Sequence, residues 1–123
     1  MEKLKNKDLQ RITVQEFKRI KKTPITIVLD NVRSALNVGS IFRTADAFLI
    51  ENIILCGITP HPPHKEIREA ALGATNSVNW EFEKETVDAV LKLKKNGHHI
   101  MAIEQANKSS KLNNFTLLNN PIA

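Results

Sequence analysis

Cysteine and long apolar runs are scarce in this chain. Cys56 is the only cysteine among the 123 residues and sits in an apolar stretch, so disulfides play no part in holding the fold. No apolar run approaches the roughly 18–20 residues needed to cross a bilayer, and no signal-peptide stretch follows the charged N-terminus. We therefore expect a cytoplasmic protein that does not enter a membrane.

Several ligand-binding motifs are also absent. The chain lacks the glycine fingerprint of dinucleotide-binding proteins and the Lys-Ser/Thr pair of a phosphate-binding loop, so neither NAD chemistry nor ATP hydrolysis is indicated. His61 and His64 flank two prolines, but a zinc site would need two further ligands, and Cys56 is the only thiol. We expect no metal site, and no Ser/His/Asp catalytic arrangement can be argued from the spacing.

Positive charge is concentrated at the N-terminus. The net charge is +5; residues 1–22 hold eight Lys or Arg and three acids, and the other residues hold ten of each sign. This asymmetry predicts a basic N-terminal helical arm, residues 1–22, that contacts a polyanion. Its candidate contact residues are Lys18, Arg19, Lys21 and Lys22. A lysine-rich leader that only aids solubility is an equal alternative.

A capping-box pattern at Thr13 and Glu16 predicts a short helix through about residue 21. The apolar positions Val14, Phe17 and Ile20 share one face of that helix. The residue before the following proline is pushed out of the helical region, so the helix should end there.

Strand and helix patterns alternate along residues 23–123. Strands are predicted at residues 25–29, 52–56, 77–82 and 99–103, and helices at about residues 38–49, 65–72 and 83–96. The last helix is expected to turn Val87, Val90 and Leu91 inward. The alternation predicts an α/β fold with a mostly parallel sheet and flanking helices. Residues 119–123 look like a loop entering a further strand, so residues 23–123 would form the first part of a longer domain.

The junction between the first strand and the next helix carries the main candidate site residues. Asn37 stands where an N-cap belongs, and Gly39 falls in the first turn, where it could permit close approach of a nucleotide or of the neighbouring strand. Arg43 lies on the polar flank of the helix, and a guanidinium there suits a phosphate or a ribose. A surface arginine without a ligand is the alternative. Ligands of open α/β sheets bind at this carboxyl edge.

Two further places could face a ligand. Glu104 and Gln105 directly follow the predicted strand 99–103 at the same edge, where a plain loop is an equal alternative. Arg68, Thr75 and Asn76 gather around a predicted helix end, although a simple helix C-cap explains most of that segment.

Residues 29–48 closely resemble the first conserved motif of the SpoU family, which are RNA ribose 2′-O-methyltransferases of the SPOUT class. The spacing Asn-x-Gly-x-x-x-Arg after a buried strand carries the resemblance, and residues 70–80 and 101–110 look like later stretches of the same family. The resemblance covers about residues 10–118. It implies an α/β domain whose C-terminal part threads into a trefoil knot, S-adenosylmethionine as cofactor, tRNA or rRNA as substrate, and a homodimer.

The resemblance also implies roles for individual residues. Asn37 matches the asparagine that shapes the site, and Arg43 matches the catalytic arginine. A guanidinium is a poor base, so orienting and stabilising a ribose alkoxide is the physically easier role. Arg33 and the basic arm would contact RNA. One wall of the cofactor pocket would match three consecutive residues, Ile103, Glu104 and Gln105.

The sequence departs from the family in one respect. The segments that supply most cofactor contacts and the knot, one of a Gly-Asn-Glu-x-x-Gly type and one rich in Ser and Asn, are missing. The chain therefore resembles the N-terminal portion of such an enzyme, and we expect it to lack a complete cofactor site and not to methylate unaided. A non-catalytic RNA-binding module is the alternative from another class, and a nucleotide-binding regulatory domain is a third.

Overall fold

The computed structural model describes residues 12–116 and 119–123. Helices and strands alternate within these residues, as the sequence patterns predict. In chain order the elements are α1 (Val14–Arg19), β1 (Thr23–Asp30), α2 (Ala35–Ala47), β2 (Ile50–Cys56), α3 (Lys65–Ala71), α4 (Ala74–Ser77), β3 (Trp80–Glu83), α5 (Thr86–Lys95) and a short 3₁₀ helix (Leu112–Asn114).

The three strands form one parallel sheet in the order β1-β2-β3. This arrangement confirms the predicted α/β fold with a parallel sheet and flanking helices. The register pairs Asp30 with Cys56 and Cys56 with Glu83. The carboxyl ends of all three strands therefore meet at one edge of the sheet.

Each face of the sheet has its own helical layer. Because successive side chains of a strand point to opposite faces, Ile53 and Leu55 of β2 join the larger core with helices α1 to α4. Ile54 and Cys56 of the same strand join a smaller core under α5. All four side chains are buried. β2 is therefore covered on both faces, as is typical of a central strand in a parallel sheet.

Helix α1 begins with the predicted capping box. The Thr13 side chain accepts a hydrogen bond from the Glu16 backbone N–H at 3.1 Å, and the Glu16 carboxylate accepts one from the Thr13 backbone N–H at 2.9 Å. The helix ends at Arg19 because Ile20 adopts an extended conformation. Of the predicted apolar face only Phe17 is buried, and it packs in the larger core.

Helix α2 begins earlier than predicted, and the N-cap assignment of Asn37 is wrong. Ser34 is the N-cap, and its hydroxyl accepts a hydrogen bond from the Asn37 backbone N–H at 3.1 Å. Serine and asparagine cap helices about equally well, so the sequence offered two candidates three residues apart. Packing decides between them, since Ala35 and Val38 are both buried and the helix must already be formed at Ala35 to place them.

Helix α5 turns a different face inward from the one predicted. Val87 and Leu91 are exposed, whereas Ala89 and Leu93 are buried against Ile54 and its neighbours. The small side chain at Ala89 allows the helix to lie close to the sheet, so the burial follows from packing rather than from the largest apolar side chains. The helix also starts at Thr86, because β3 extends to Glu83.

The predicted strand 99–103 is not formed. His99 and Ile25 make only isolated parallel bridges to Ile122, and Met101 adds one further hydrogen bond, from its N–H to the Ala123 carbonyl at 2.7 Å. Beyond Met101 this short pairing has ended, and the side chain of Ile103 is 87% exposed. A pairing of this length is too short to count as a strand.

Strand β1 is less buried than the sequence predicts. Ile25, Ile27 and Val28 are half-buried, while Thr26 and Leu29 are buried. On its outer side β1 meets only the Ile122 bridge within the described residues. Neighbouring strands, more than the apolar sequence of the strand itself, determine how far it is covered.

Gly39 allows α2 and α3 to touch. A Cβ at this position would lie 2.5 Å from the Ile67 carbonyl oxygen and 2.6 Å from the Ala70 Cβ. The predicted close approach at Gly39 therefore exists, but its partner is a neighbouring helix and neither a nucleotide nor a strand.

We predict that Gly39→Ala lowers the free energy of unfolding by about 1–2 kcal/mol. Overpacking costs roughly 1–3 kcal/mol, and a 2.5 Å contact with a fixed backbone oxygen belongs in the upper part, about 2–3 kcal/mol. Helix propensity returns roughly 1 kcal/mol for alanine, which leaves a net loss of about 1–2 kcal/mol. Urea unfolding with an unchanged m-value measures this loss. The adjacent, exposed Ser40→Ala serves as the control and should change stability by less than about 0.5 kcal/mol. A Gly39→Ala protein as stable as the parent would contradict the helix contact.

Candidate functional site

Arg43 lies in an open groove between α2 and α3. The groove has a volume of about 570 Å³. Among the described residues, no carboxylate lies within ion-pair distance of the Arg43 guanidinium, and its side chain is exposed. The groove is lined by Ser40, Arg43, Thr44, Ala47, Phe48, Glu69, Ala70 and Leu72. A free guanidinium is therefore available to a ligand in this groove.

The walls of the groove combine apolar and polar groups. Phe48 and Leu72 are each 67% exposed, and they provide apolar contact area beside the guanidinium. Glu69 is the acidic residue of the lining, and its carboxylate lies 4.0 Å from the Lys65 ammonium. Such a mixture suits a ligand with both a ring and an anionic or hydroxyl group.

The groove lies farther from the sheet edge than the sequence suggests. Arg43 is eight residues after Ala35, which places it about 12 Å along the helix axis at 1.5 Å per residue. Asn37 is exposed in the first turn and does not line the groove. The two predicted site residues of α2 are thus on the same helix but on separate surfaces.

The basic residues near α1 differ in their surroundings. Lys18, Arg19 and Lys21 are exposed, whereas Lys22 is half-buried. The Lys22 ammonium lies 3.6 Å from the centre of the Phe17 ring and donates a hydrogen bond to the Phe17 carbonyl. Lys22 is therefore occupied by a cation–π contact within the fold.

Arg33 is exposed in the loop between β1 and α2, at the carboxyl edge of the sheet. Hydrogen bonds to the loop after β2 hold this loop in place. The Asn31 side-chain oxygen accepts one from the Ile58 N–H at 3.0 Å, and the Thr59 hydroxyl accepts one from the Val32 N–H at 3.0 Å. Thr59 is 2% exposed. No sequence signal pointed to Thr59, because its partners are distant in the chain.

The Asn31 side chain lies directly against Gly57. A Cβ on Gly57 would overlap the Asn31 side-chain oxygen, and Gly57 has a φ of +64°. Asn31 itself has a φ of 52°, a conformation that asparagine tolerates better than most residues. The positive φ at Gly57 therefore favours glycine, and the Asn31 side chain occupies the space that a side chain at position 57 would take.

Cys56 ends β2 at the same edge but is not a nucleophile. Burial raises the pKa of its thiol above the ordinary value, a hydrogen bond with Thr86 lowers that pKa by less, and the nearby carboxylates of Asp30 and Glu83 raise it again. Since only the thiolate reacts, this thiol is inert at neutral pH.

The three predicted cofactor residues, Ile103, Glu104 and Gln105, are all exposed. The Gln105 N–H donates a hydrogen bond to the Glu104 carboxylate at 2.8 Å. None of Ile103, Glu104 and Gln105 lines the Arg43 groove or the smaller cavity of about 140 Å³ beside α5. As they stand, these residues do not enclose S-adenosylmethionine.

Comparison with known proteins identifies the family. Residues 24–123 match the SpoU rRNA Methylase family, and the chain belongs to this family. A search of the curated proteins finds no match. Among the helices of residues 12–116 and 119–123, none has the length and apolar character to cross a membrane.

Solved structures of RNA methyltransferases share the fold. An rRNA methyltransferase from Sinorhizobium meliloti superimposes with a TM-score of 0.74 and 27% identity, covering 86% of this chain and 41% of its own. Its AdoMet-bound structure gives the same values. The TrmH/SpoU tRNA modifying enzyme of A. aeolicus has a TM-score of 0.74 at 20% identity, over 89% of this chain and 54% of its own, which supports the fold alone. The chain thus spans about half or less of these relatives.

We predict that Lys22 contributes to stability and Lys21 does not. Lys22→Ala removes the cation–π contact with Phe17 and should lower the free energy of unfolding by about 1 kcal/mol. Lys21→Ala removes the same charge from an exposed position and should change it by less than about 0.5 kcal/mol. Urea unfolding of both variants measures the difference. Equal effects would show that the Phe17 contact is not a stabilising one.

Proposed function

We propose that this protein takes part in the S-adenosylmethionine-dependent methylation of a ribose 2′-hydroxyl in tRNA or rRNA, with Arg43 at the reacting sugar. The observation that carries the proposal is the setting of Arg43. Arg43 matches the arginine in the motif that residues 29–48 resemble, and its guanidinium is exposed in an open groove without an ion pair among the described residues.

The guanidinium would act as a hydrogen-bond donor and a fixed positive charge. Because arginine stays protonated at any ordinary pH, it orients the 2′-hydroxyl and stabilises the negative charge that develops on the sugar oxygen. Phe48 and Leu72 line the same groove and would give the sugar apolar contact area. S-Adenosylmethionine would supply the methyl group, and Arg43 would act only on the sugar oxygen that receives it.

Three further proposals accompany this function. The complete site would form in a homodimer, with the exposed side chains of Phe48 and Leu72 available for contact. Residues 1–22 would form a basic arm for RNA and residues 23–123 a part of the methyltransferase domain. The protein would work in the cytoplasm, where its RNA substrates are found.

A non-catalytic RNA-binding module is the second candidate. The observation that favours it is the exposure of Ile103, Glu104 and Gln105 outside both described cavities. In that case the chain would bind RNA through its basic residues, and Arg43 would contact phosphate without catalysis. Methylation assays on the intact protein separate the two candidates.

We predict that Arg43→Ala reduces methylation by the intact protein by about 100- to 1,000-fold. Removing one donor that stabilises a developing oxyanion has an effect of this size. Transfer of a labelled methyl group from S-adenosylmethionine to RNA from cells lacking the gene measures the rate. Lys94→Ala, which removes an exposed cation from α5 away from the groove, is the control and should keep the parental rate. Normal methylation by Arg43→Ala would end the catalytic assignment.

We also predict that the exposed basic residues near α1 set the salt dependence of RNA binding. Replacing Lys18, Arg19 and Lys21 together by glutamine should reduce the slope of log affinity against log salt by about 2, since each neutralised phosphate of a single strand contributes about 0.7. Affinity is measured by fluorescence anisotropy across a salt series. Replacing Lys84, Lys94 and Lys95, which are also exposed, removes equal charge elsewhere. An equal change in slope would assign the effect to net charge alone.

A further inference from the structure

An aromatic cluster lies at the outer strand of the described sheet. Trp80 and Phe82 are two residues apart on β3 and so share one face. His61, in the loop after β2, lies against both rings. Its ring centre is 6.1 Å from that of Trp80 at an interplanar angle of 22°, and 5.1 Å from that of Phe82 at 51°. These are offset-stacked and tilted arrangements that aromatic rings favour.

The cluster is anchored on one side and open on the other. Trp80 is half-buried and packs against the larger core, so the stack has a fixed base. Phe82 is 45% exposed and the neighbouring Ile58 is 61% exposed, and the imidazole of His61 is exposed as well. Planar rings are therefore presented to solvent on a support that is already ordered.

Arg33 is exposed on the loop after β1, which is hydrogen-bonded to the loop that leads to His61. Arg33 follows Val32, whose N–H is hydrogen-bonded to Thr59, and Thr59 lies two residues before His61. The carboxylates of β3 point away, because Glu81 and Glu83 alternate to the α5 face of the sheet. Glu83 is in addition paired with Lys92 at 2.8 Å. The carboxylates of β3 therefore do not face the rings and would not repel an anionic backbone there.

The hydrogen bond of His61 leaves one ring nitrogen free. Its Nδ1 lies 3.0 Å from the Pro62 carbonyl oxygen. A carbonyl oxygen can only accept, so Nδ1 carries the proton and donates. In the neutral ring Nε2 is then an acceptor, directed away from this bond and able to receive an amino group.

We propose that His61, Phe82 and Trp80 form a stacking platform for an unpaired RNA base, with Arg33 on the neighbouring phosphate. This inference rests on the proposed function, because it takes the RNA substrate as the ligand. Unpaired bases stack on exposed aromatic rings while a nearby cation holds the backbone. An exposed flat ring surface matches this ligand better than it matches an apolar peptide, which needs a larger apolar area.

The first test measures binding of a fluorescent oligouridine by anisotropy. His61→Ala and Phe82→Ala should each weaken binding about ten-fold, in line with the loss of one stacked base. His61→Phe keeps a ring and should restore affinity. Leu91→Ala removes an exposed apolar side chain from α5 and should bind like the parent. Thermal unfolding of each variant confirms that it is folded.

The second test locates the base directly. An oligouridine containing 5-iodouridine is irradiated with the intact protein, and the cross-linked peptide is found by mass spectrometry. Cross-links at His61 or Phe82 support the platform. Unchanged binding by both alanine variants, or cross-links confined to other segments, overturns it. If Arg43→Ala loses methylation while the platform variants bind RNA normally, only the stacking platform is overturned. If Arg43→Ala methylates normally while cross-links form at His61, only the catalytic role of Arg43 is overturned.

Discussion

The contact between α2 and α3 at Gly39 is the constraint on which the Arg43 groove depends. Ala70 is both the side chain that Gly39 accommodates and part of the groove lining. Arg43 follows Gly39 by one helical turn and so faces the same neighbour. A side chain at position 39 would push the helices apart, and the groove beside Arg43 would lose its shape. The lack of a side chain at Gly39 thus links core packing to the candidate site.

The molecule presents two surfaces of different chemistry. The groove beside Arg43 runs along the second half of α2 and offers a free guanidinium between exposed apolar side chains. The His61 cluster lies along β3, and Arg33 lies at the carboxyl edge, where hydrogen bonds join the loops after β1 and β2. In the proposed function, one nucleotide of the RNA would lie at the reacting position and another would be held by stacking. This division is consistent with the general pattern in which backbone contacts position and base contacts select.

Charge alone is a poor guide to function near α1. Lys21 and Lys22 are adjacent and equally basic in sequence, yet one is exposed and the other lies over the Phe17 ring. The difference arises because Phe17 is drawn into the core, and the chain that returns towards β1 brings Lys22 across it. The assignment of Lys22 to RNA contact stays a prediction, but its contact with Phe17 already accounts for its position.

Local interactions were readable from the sequence. The capping box at Thr13, the apolar strand β2 and the parallel order of strands follow from short-range patterns, and the family motif pointed to Arg43. Where the local sequence allowed more than one cap, buried face or strand, the tertiary contacts determined which one formed. Ser34 caps α2 instead of Asn37, Ala89 is buried where Val87 and Leu91 were expected, and the segment after Met101 has no strand. The His61 cluster and Thr59 belong to the same group, because their partners lie far away in the chain. Periodicity and capping act within one turn or one strand, whereas burial and ring stacking depend on which distant segments the fold brings together.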